Sequence, residues 1–187
     1  MPDLKITVIR SDRKTLAIQL KNGEIIARAP LRMKEKDIYN FIETKKPWIE
    51  KHLVRMSEQQ KALEAARPFT EKEIKALYER ARLIVQEKVK YYAPLVGVTY
   101  GRITIRCQKT RWGSCSSKGN LNFNCLLALL PDEIIDSVVV HELCHRKHMN
   151  HSPQFYAEIE RVFPEYKRCN RWLKENGGIY MSRLPSR

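Results

Sequence analysis

The 187-residue sequence lacks several features that define large classes of proteins. It has no CxxC pair, and its five cysteines are an odd number, which argues against the disulfide framework of a small secreted domain. No apolar run approaches the ~18 residues that a membrane span needs. The opening residues, MPDLKITVIRSDRK, have no long apolar stretch of the signal-peptide type. We therefore expect a reduced, cytoplasmic protein with no membrane partner.

Acidic residues are scarce relative to basic ones. The chain has 35 Lys and Arg against 21 Asp and Glu, which gives a formal net charge of +14. This balance favours polyanionic partners such as nucleic acid, nucleotides or acidic surfaces, although a well-solvated basic surface explains the same charge. Hydrophobic residues make up 43% of the chain, which is enough for the core of one domain with a small appendage.

Residues 1–68 have the pattern of a small strand unit followed by helices. Three segments before residue 31 alternate apolar and polar side chains, and Asn22-Gly23 between the last two is a hairpin-turn signal. Helical spacing of apolar residues begins after Lys34, and Pro47 divides it into two helices because a first turn tolerates proline. We expect an N-terminal β-hairpin/strand unit with a helical arm over residues 1–68.

Residues 69–187 combine further helices and strands. Thr70 and Glu73 form a capping box for a helix that should end near Tyr92, before a proline. GRITIRCQ and NLNFNCLLALL are predicted strands, and Pro131 followed by two acids predicts the start of another helix. Further helix boundaries are predicted at Ser152-Pro153, Phe163-Pro164 and Asn176-Gly177-Gly178.

The most informative stretch is VVVHELCHRKHMNHSPQF, because it contains an HExxH motif. His141 and His145 are four residues apart, so a helix places both imidazoles on one face within reach of a single ion. Glu142 is rotated by roughly 100° around that helix and can reach a water molecule on the open side of the metal. This arrangement is typical of two zinc ligands and a general base.

A catalytic zinc usually has three protein ligands, so a third must follow. His148 shares the helical face, but it lies about 10.5 Å along the axis from His141, and three histidines in one column converge poorly. His151 is favoured, because Asn150 can end the helix and place His151 in a turn that folds back toward the metal. Glu158 and Glu160 on the following helix are the other candidates.

The same region resembles a known family. HELCHRKHMNHSPQFY, with TRWGSCSSKGNLNFN and LLPDEIIDSVVV before it, is similar to the YgjP-like predicted zinc metallopeptidases, which are related to the SprT and WLM zincins. The resemblance spans roughly residues 100 to 175. It implies that His141, His145 and His151 bind Zn²⁺ and that Glu142 is the catalytic base.

The resemblance also implies an α+β fold. We expect a zincin-like metallopeptidase domain over residues 69–187, with its active-site helix packed on a small antiparallel sheet. The segment GNLNFN should border the cleft, where an extended peptide can add to a strand edge. Tyr156, Tyr180 and Arg111 are candidates for the group that stabilises the oxyanion.

Two other functions stay open from the sequence. A basic protein with a metal-activated water can hydrolyse a phosphoanhydride, which would make a nucleotide the substrate in place of a polypeptide. A nucleic-acid-associated zinc protein or protease is the second alternative. HExxH favours catalysis, since its glutamate suits an open metal position better than a closed structural one. The pattern does not define an oligomeric state.

Overall fold

The computed structural model describes residues 5–21 and 23–185. The chain divides into two compact units, Met1–Glu64 and Ala65–Arg187. Within the described residues, no helix combines the length and apolarity needed to cross a bilayer.

The N-terminal unit is a three-stranded sheet followed by two helices. Its sheet has the order β1-β3-β2, in which β1 is parallel to β3 and β2 is antiparallel to β3. Lys21 lies opposite Glu24, as the predicted hairpin requires, and Gly23 has a φ of +78°. Asn22 of that predicted turn lies outside the described residues. The elements are β1 (Ile6–Ser11), β2 (Ala17–Lys21), β3 (Glu24–Pro30), α1 (Glu35–Thr44) and α2 (Lys46–Ala65).

The core of this unit lies between β3 and the two helices. Alternate residues of β3 point inward, because side chains along a strand have a period of two. Pro47 lies in the first turn of α2, as predicted. The fully or nearly fully buried apolar residues are Ile25, Ala27, Ala29, Ile38, Ile42 and Ile49.

The larger unit surrounds one buried helix. Helix α4 contacts α3, α5, α6 and strand β5. Most of its side chains are buried and apolar, which is the pattern of a helix enclosed on all sides. The elements are α3 (Glu71–Val96), β4 (Ile103–Arg106), β5 (Gly113–Cys115), β6 (Leu121–Asn124), a 3₁₀ helix (Cys125–Leu129), α4 (Asp132–Cys144), α5 (Pro153–Val162) and α6 (Tyr166–Ser182).

The α+β class is confirmed, but the second sheet is mixed, so the prediction of an antiparallel sheet was wrong in this detail. Its order is β4-β6-β5, with β4 parallel and β5 antiparallel to β6. The chain passes from β4 to the far edge, forms β5, and returns as β6 between the two. β6 is therefore the central strand, and β5 is the edge strand that contacts α4.

Three predicted boundaries were wrong for local reasons. α3 continues past Pro94 to Val96, because a proline in the last turn removes only one hydrogen bond and Gly97, with φ of +76°, ends the helix instead. The predicted strand NLNFNCLLALL stops at Asn124, whose side chain accepts a hydrogen bond from Leu126 N (3.2 Å) and starts the 3₁₀ helix. α4 ends at Cys144 and does not extend to Asn150.

Helix α6 also continues where it was predicted to stop. Asn176-Gly177-Gly178 lies within the helix, and Gly177 is buried there against the indole of Trp112. A Cβ atom at Gly177 would lie 2.9 Å from Trp112 Cζ2. The glycine serves close packing between α6 and the residue before β5, and it does not mark a helix end.

Replacing Gly177 with alanine is expected to lower the free energy of unfolding by about 1–3 kcal/mol, because the added methyl group overpacks the Trp112 contact. Gly178→Ala is the matched control, since a Cβ there meets no atom within 4 Å. That change should be neutral or stabilising by up to about 1 kcal/mol, from helix propensity alone. Denaturant unfolding followed by circular dichroism measures both, and equal losses would contradict the packing role.

Candidate metal centre

The centre is built at the carboxyl end of α4. His141 lies in the last turn of the helix, and His145 is the first residue beyond it. Because α4 ends there, the chain turns sharply through residues 145–147 and reaches α5 after a short loop. His151 lies in that loop, directly before Ser152, whose hydroxyl caps α5 by accepting from Phe155 N (3.4 Å).

The structure brings His141, His145 and His151 together. Their ring centroids lie 4.9, 5.2 and 4.9 Å apart for the pairs 141–145, 141–151 and 145–151. One nitrogen atom from each ring lies within 4.8 Å of the corresponding atoms of the other two. His145 is 9% exposed, while His151 is open to solvent. The group therefore has a buried side and an accessible side.

Hydrogen bonds at Nδ1 of His141 and His145 leave Nε2 of each ring free to face the other imidazoles. His141 Nδ1 lies 2.7 Å from the Tyr166 hydroxyl. His145 Nδ1 lies 3.0 Å from the main-chain carbonyl oxygen of His148, which can only accept, so His145 Nδ1 carries the proton. Such partners fix the tautomer and orientation of metal-binding imidazoles.

The Phe155 ring packs against the imidazole rings of His141, His145 and His151. Its ring centroid lies 5.0, 4.5 and 4.9 Å from those of His141, His145 and His151, and its side chain is fully buried. The aromatic ring excludes water from the buried side of the group. Its bulk also fills the space between the three imidazoles and the hydrophobic core.

Burial keeps the helical imidazoles neutral, which is the form that binds metal. Burial, followed by the neighbouring His145 and His151, lowers the pKa of His141 to about 3. The pKa of His145 is also lowered, mainly by burial and in part by His151, although its bond to the His148 carbonyl opposes the shift. Both rings therefore stay uncharged at neutral pH.

Glu142 is buried beside the histidines, with 5% of its surface exposed. Burial raises its pKa to about 8, and the charge of Arg111 opposes the shift. The carboxyl group lies against the main chain of β5: a Cβ at Gly113 would lie 2.6 Å from Glu142 Oε1 and 2.7 Å from its Cγ. Only glycine at position 113 leaves room for this carboxyl group.

A cavity of about 210 Å³ adjoins His141 and Glu142. Its walls combine apolar side chains with polar groups from α4 and α6. The residues around it are Trp112, Gly113, Ser137, Val138, His141, Glu142, Tyr166, Asn170 and Leu173.

The structure separates the three candidates for the oxyanion-stabilising group. The Tyr156 ring lies 6.3 Å from both the His151 and the Tyr166 rings, at the open side of the centre. Arg111 is close enough to lower the pKa of Glu142. Tyr180 packs against the core cluster. Tyr156 and Arg111 are thus the two that lie near the centre.

The alternative third ligands are engaged elsewhere. Glu158 accepts from Lys147 (2.7 Å) and Arg161 (2.8 Å), and these bonds lower its pKa to about 2. Glu160 pairs with Lys167 at 2.9 Å. His148 contributes its carbonyl oxygen to His145 and is outside the histidine group.

Sequence reasoning missed three neighbours of the centre. Tyr166 gave no signal, because it lies 25 residues from His141 and begins a different helix. Phe155 lies within the HSPQF stretch, but only the fold shows that it faces the imidazoles. Gly113 was part of the distinctive RWGSC run, and its role follows only from the position of Glu142.

Three imidazoles from the end of α4 and the loop after it, together with a buried carboxyl group on α4, are the side chains that a metal-dependent peptidase requires. A family model for the YgjP-like metallopeptidase domain matches residues 14–75 and 69–176. The chain belongs to this YgjP-like family. It is a metallopeptidase, which uses a metal ion and takes a polypeptide as substrate, and this assignment does not support the nucleotide and nucleic-acid alternatives.

Two solved structures are also similar to the chain. The metallopeptidase zymogen abylysin of Pyrococcus abyssi is 26% identical, with a TM-score of 0.44, and the match covers 49% of this chain and 93% of that one. The metallopeptidase zymogen jannalysin of Methanocaldococcus jannaschii is 20% identical, with a TM-score of 0.44, over 49% of this chain and 94% of that one. No curated protein matches the chain.

Replacing Tyr166 with phenylalanine is expected to weaken metal binding by about 10-fold, because His141 Nδ1 loses its partner inside a buried site. His148→Ala is the matched control: His148 acts on His145 through its main-chain carbonyl, so its side chain should be dispensable. Competition with a chromogenic chelator measures both affinities. Unchanged affinity in Tyr166→Phe would contradict the orienting role.

Replacing Gly113 with alanine is expected to lower peptidase activity by about 10-fold or more while metal affinity is retained, because the methyl group displaces the Glu142 carboxyl by about an ångström. Activity on a polypeptide and chelator competition separate the two effects. Gly178→Ala, with open space at its Cβ, is the control for a glycine change as such. Loss of metal binding in Gly113→Ala would show that the strand holds the histidines and not the carboxyl group.

Proposed function

We propose that the protein is a zinc-dependent peptidase in which His141, His145 and His151 hold Zn²⁺ and Glu142 is the general base. The observation that carries this proposal is the convergence of three imidazoles beside a buried carboxyl group at the end of one helix. The proposal places the catalytic machinery in residues 69–187, and we propose the cytoplasm as its location. The five cysteines are free thiols, which suits that reducing compartment.

The residues present fit a catalytic zinc site. Zinc accepts imidazole nitrogen, and a site with three protein ligands keeps a fourth position open. The Nδ1 partners of His141 and His145 leave Nε2 as the donor atom, and His151 Nε2 lies 3.2 Å from His141 Nε2. When bound, Zn²⁺ supplies Lewis acidity that acidifies water and polarises a peptide carbonyl.

Glu142 supplies the proton transfers. Without a metal, burial holds its pKa near 8, and a divalent cation next to it favours the ionised form. Its carboxylate can then accept a proton from the attacking water and deliver it to the departing peptide nitrogen. Gly113 confines the carboxyl group between α4 and β5, so it is held in one position for both transfers.

Strand β5 is the place for an extended substrate, and not β6 as the sequence suggested, because β6 is central and β5 is the edge strand that contacts α4. Hydrogen bonds from Asn124 N to Trp112 O (2.8 Å) and from Ser116 N to Asn120 O (2.9 Å) mark the bonded pairs of the β5–β6 ladder. Since bonded and non-bonded pairs alternate, the main-chain groups of Gly113 and Cys115 face the open edge. A peptide that pairs there runs past Glu142.

The 210 Å³ cavity beside His141 and Glu142 suits one substrate side chain. Val138 and Leu173 give it apolar walls, and Asn170 gives it a polar group. An aliphatic or aromatic side chain next to the cleaved bond fits this lining better than a charged one, whose burial without a partner is costly.

Glu142→Gln is expected to reduce hydrolysis of an unstructured polypeptide by about 10²–10⁴-fold, because the general base is lost while the metal ligands remain. Zinc content after dialysis should equal that of the unchanged protein. His151→Ala should instead lose zinc and activity together.

The test measures, in parallel, cleavage of an unstructured polypeptide and hydrolysis of a nucleoside triphosphate by the zinc-loaded protein. Glu160→Gln is the matched control, since this half-buried carboxylate pairs with Lys167 and is outside the histidine group. Full activity in Glu142→Gln would disprove the mechanism. Phosphate release without peptide cleavage would disprove the substrate class, and full zinc affinity in His151→Ala would remove the third ligand.

A further inference from the structure

Two cysteines lie side by side at the end of the second sheet. Arg106 of β4 is opposite Asn124 of β6 in the parallel ladder, and the next residue on each chain is a cysteine. Cys107 Sγ and Cys125 Sγ are 2.8 Å apart. Neighbouring strands are separated by about 4.8 Å, which lies within the Cα–Cα range of roughly 4.4–6.8 Å that disulfides accept. The distance between the two sulfur atoms and the strand spacing at the preceding residue pair both suit a covalent link.

The two thiols differ in access. Cys107 is half-buried and lines an open cavity of about 660 Å³ together with Arg106 and Lys109. Cys125 is fully buried, and burial followed by its contact with Cys107 raises the pKa of its thiol. A reagent in solution therefore meets Cys107 first. The two cationic side chains at the cavity attract a reagent that carries carboxylates.

We propose that Cys107 and Cys125 are a dithiol that a small-molecule disulfide oxidises reversibly, with Cys107 as the entry thiol and Cys125 as the resolving thiol. This assigns a modification site in the larger unit that is distinct from the histidine centre and independent of the proposed catalytic mechanism.

The steps balance as two thiol–disulfide exchanges. The Cys107 thiolate attacks one sulfur of the external disulfide, whose S–S bond breaks and releases one thiolate, which takes up a proton. Cys125 then loses its proton and attacks Cys107 Sγ, which breaks the mixed disulfide and releases the second thiol. The protein loses two electrons and two protons, and the external disulfide gains them.

A disulfide between Cys107 and Cys125 would close a loop that contains β5. Asn124, next to Cys125, donates from Nδ2 to the carbonyl oxygens of Gln108 (2.6 Å) and Arg111 (2.9 Å). Its main-chain N donates to Trp112 O at 2.8 Å. Asn124 thus binds residues 108–112 to β6 by hydrogen bonds. The disulfide would add a covalent bond at the next residue, Cys125.

The test uses the full chain in buffers of oxidised and reduced glutathione at stepped ratios. Samples are quenched with acid, alkylated, digested without reduction and mapped by mass. The expected product is a peptide pair that joins Cys107 to Cys125, with the loss of two hydrogen atoms and reversal by reductant. Because the second exchange is intramolecular, this product should exceed the glutathione adduct at Cys107 by about 10-fold or more.

Cys115 is the internal control in the same sample. It is half-buried like Cys107, but its sulfur donates to the Ser116 carbonyl oxygen (3.4 Å) and contacts no second thiol among the described residues, so a glutathione adduct there should persist. A glutathione adduct at Cys107 with Cys125 still a free thiol in the unchanged protein would overturn the proposal. This result needs no variant and is unaffected by folding defects.

Two serine variants assign the roles. Cys125→Ser should accumulate the glutathione adduct at Cys107, because the resolving thiol is gone. Cys107→Ser should leave Cys125 unmodified under the same buffers. Equal modification of Cys125 with and without Cys107 would overturn the order of the two steps.

Discussion

The larger unit depends on holding polar groups at the end of a buried apolar helix. His141, Glu142 and His145 occupy the carboxyl end of α4, where burial of unpaired imidazoles and carboxylates is costly. Two hydrogen bonds at Nδ1 and the neutral state of the rings reduce that cost. A metal ion bound to the remaining nitrogen atoms would remove the rest of this burial cost. The packing of α3, α5, α6 and β5 around α4 then fixes the position of each group.

The segment around β5 connects this helix to the sheet. Trp112 packs against Gly177 of α6, and Gly113 lies against the Glu142 carboxyl group. Asn124, fully buried on β6, ties the preceding loop in place through three hydrogen bonds. Within the RWGSC run, Trp112 and Gly113 therefore make close approaches to α6 and α4. The same strand provides the open edge on which a peptide substrate is proposed to pair.

Local sequence rules worked where the chain interacts with its near neighbours. The HExxH spacing predicted two imidazoles on one face, the capping box at Thr70 is present, and Pro47 lies in a first turn. The same rules failed where distant residues decided the outcome. Gly177, predicted to end a helix, instead lies inside α6 in contact with Trp112 of a distant segment.

The sequence by itself determined the chemistry of the centre, because an imidazole, a carboxyl group and a four-residue helical spacing depend only on neighbours along the chain. It also favoured His151 through the turn before α5. The tertiary structure alone decided which groups orient and confine that chemistry: the Tyr166 hydroxyl, the Phe155 ring, the Gly113 main chain and the carbonyl of His148. These contacts join separate elements, or depend on where α4 ends, and no local pattern encodes the packing that brings them together.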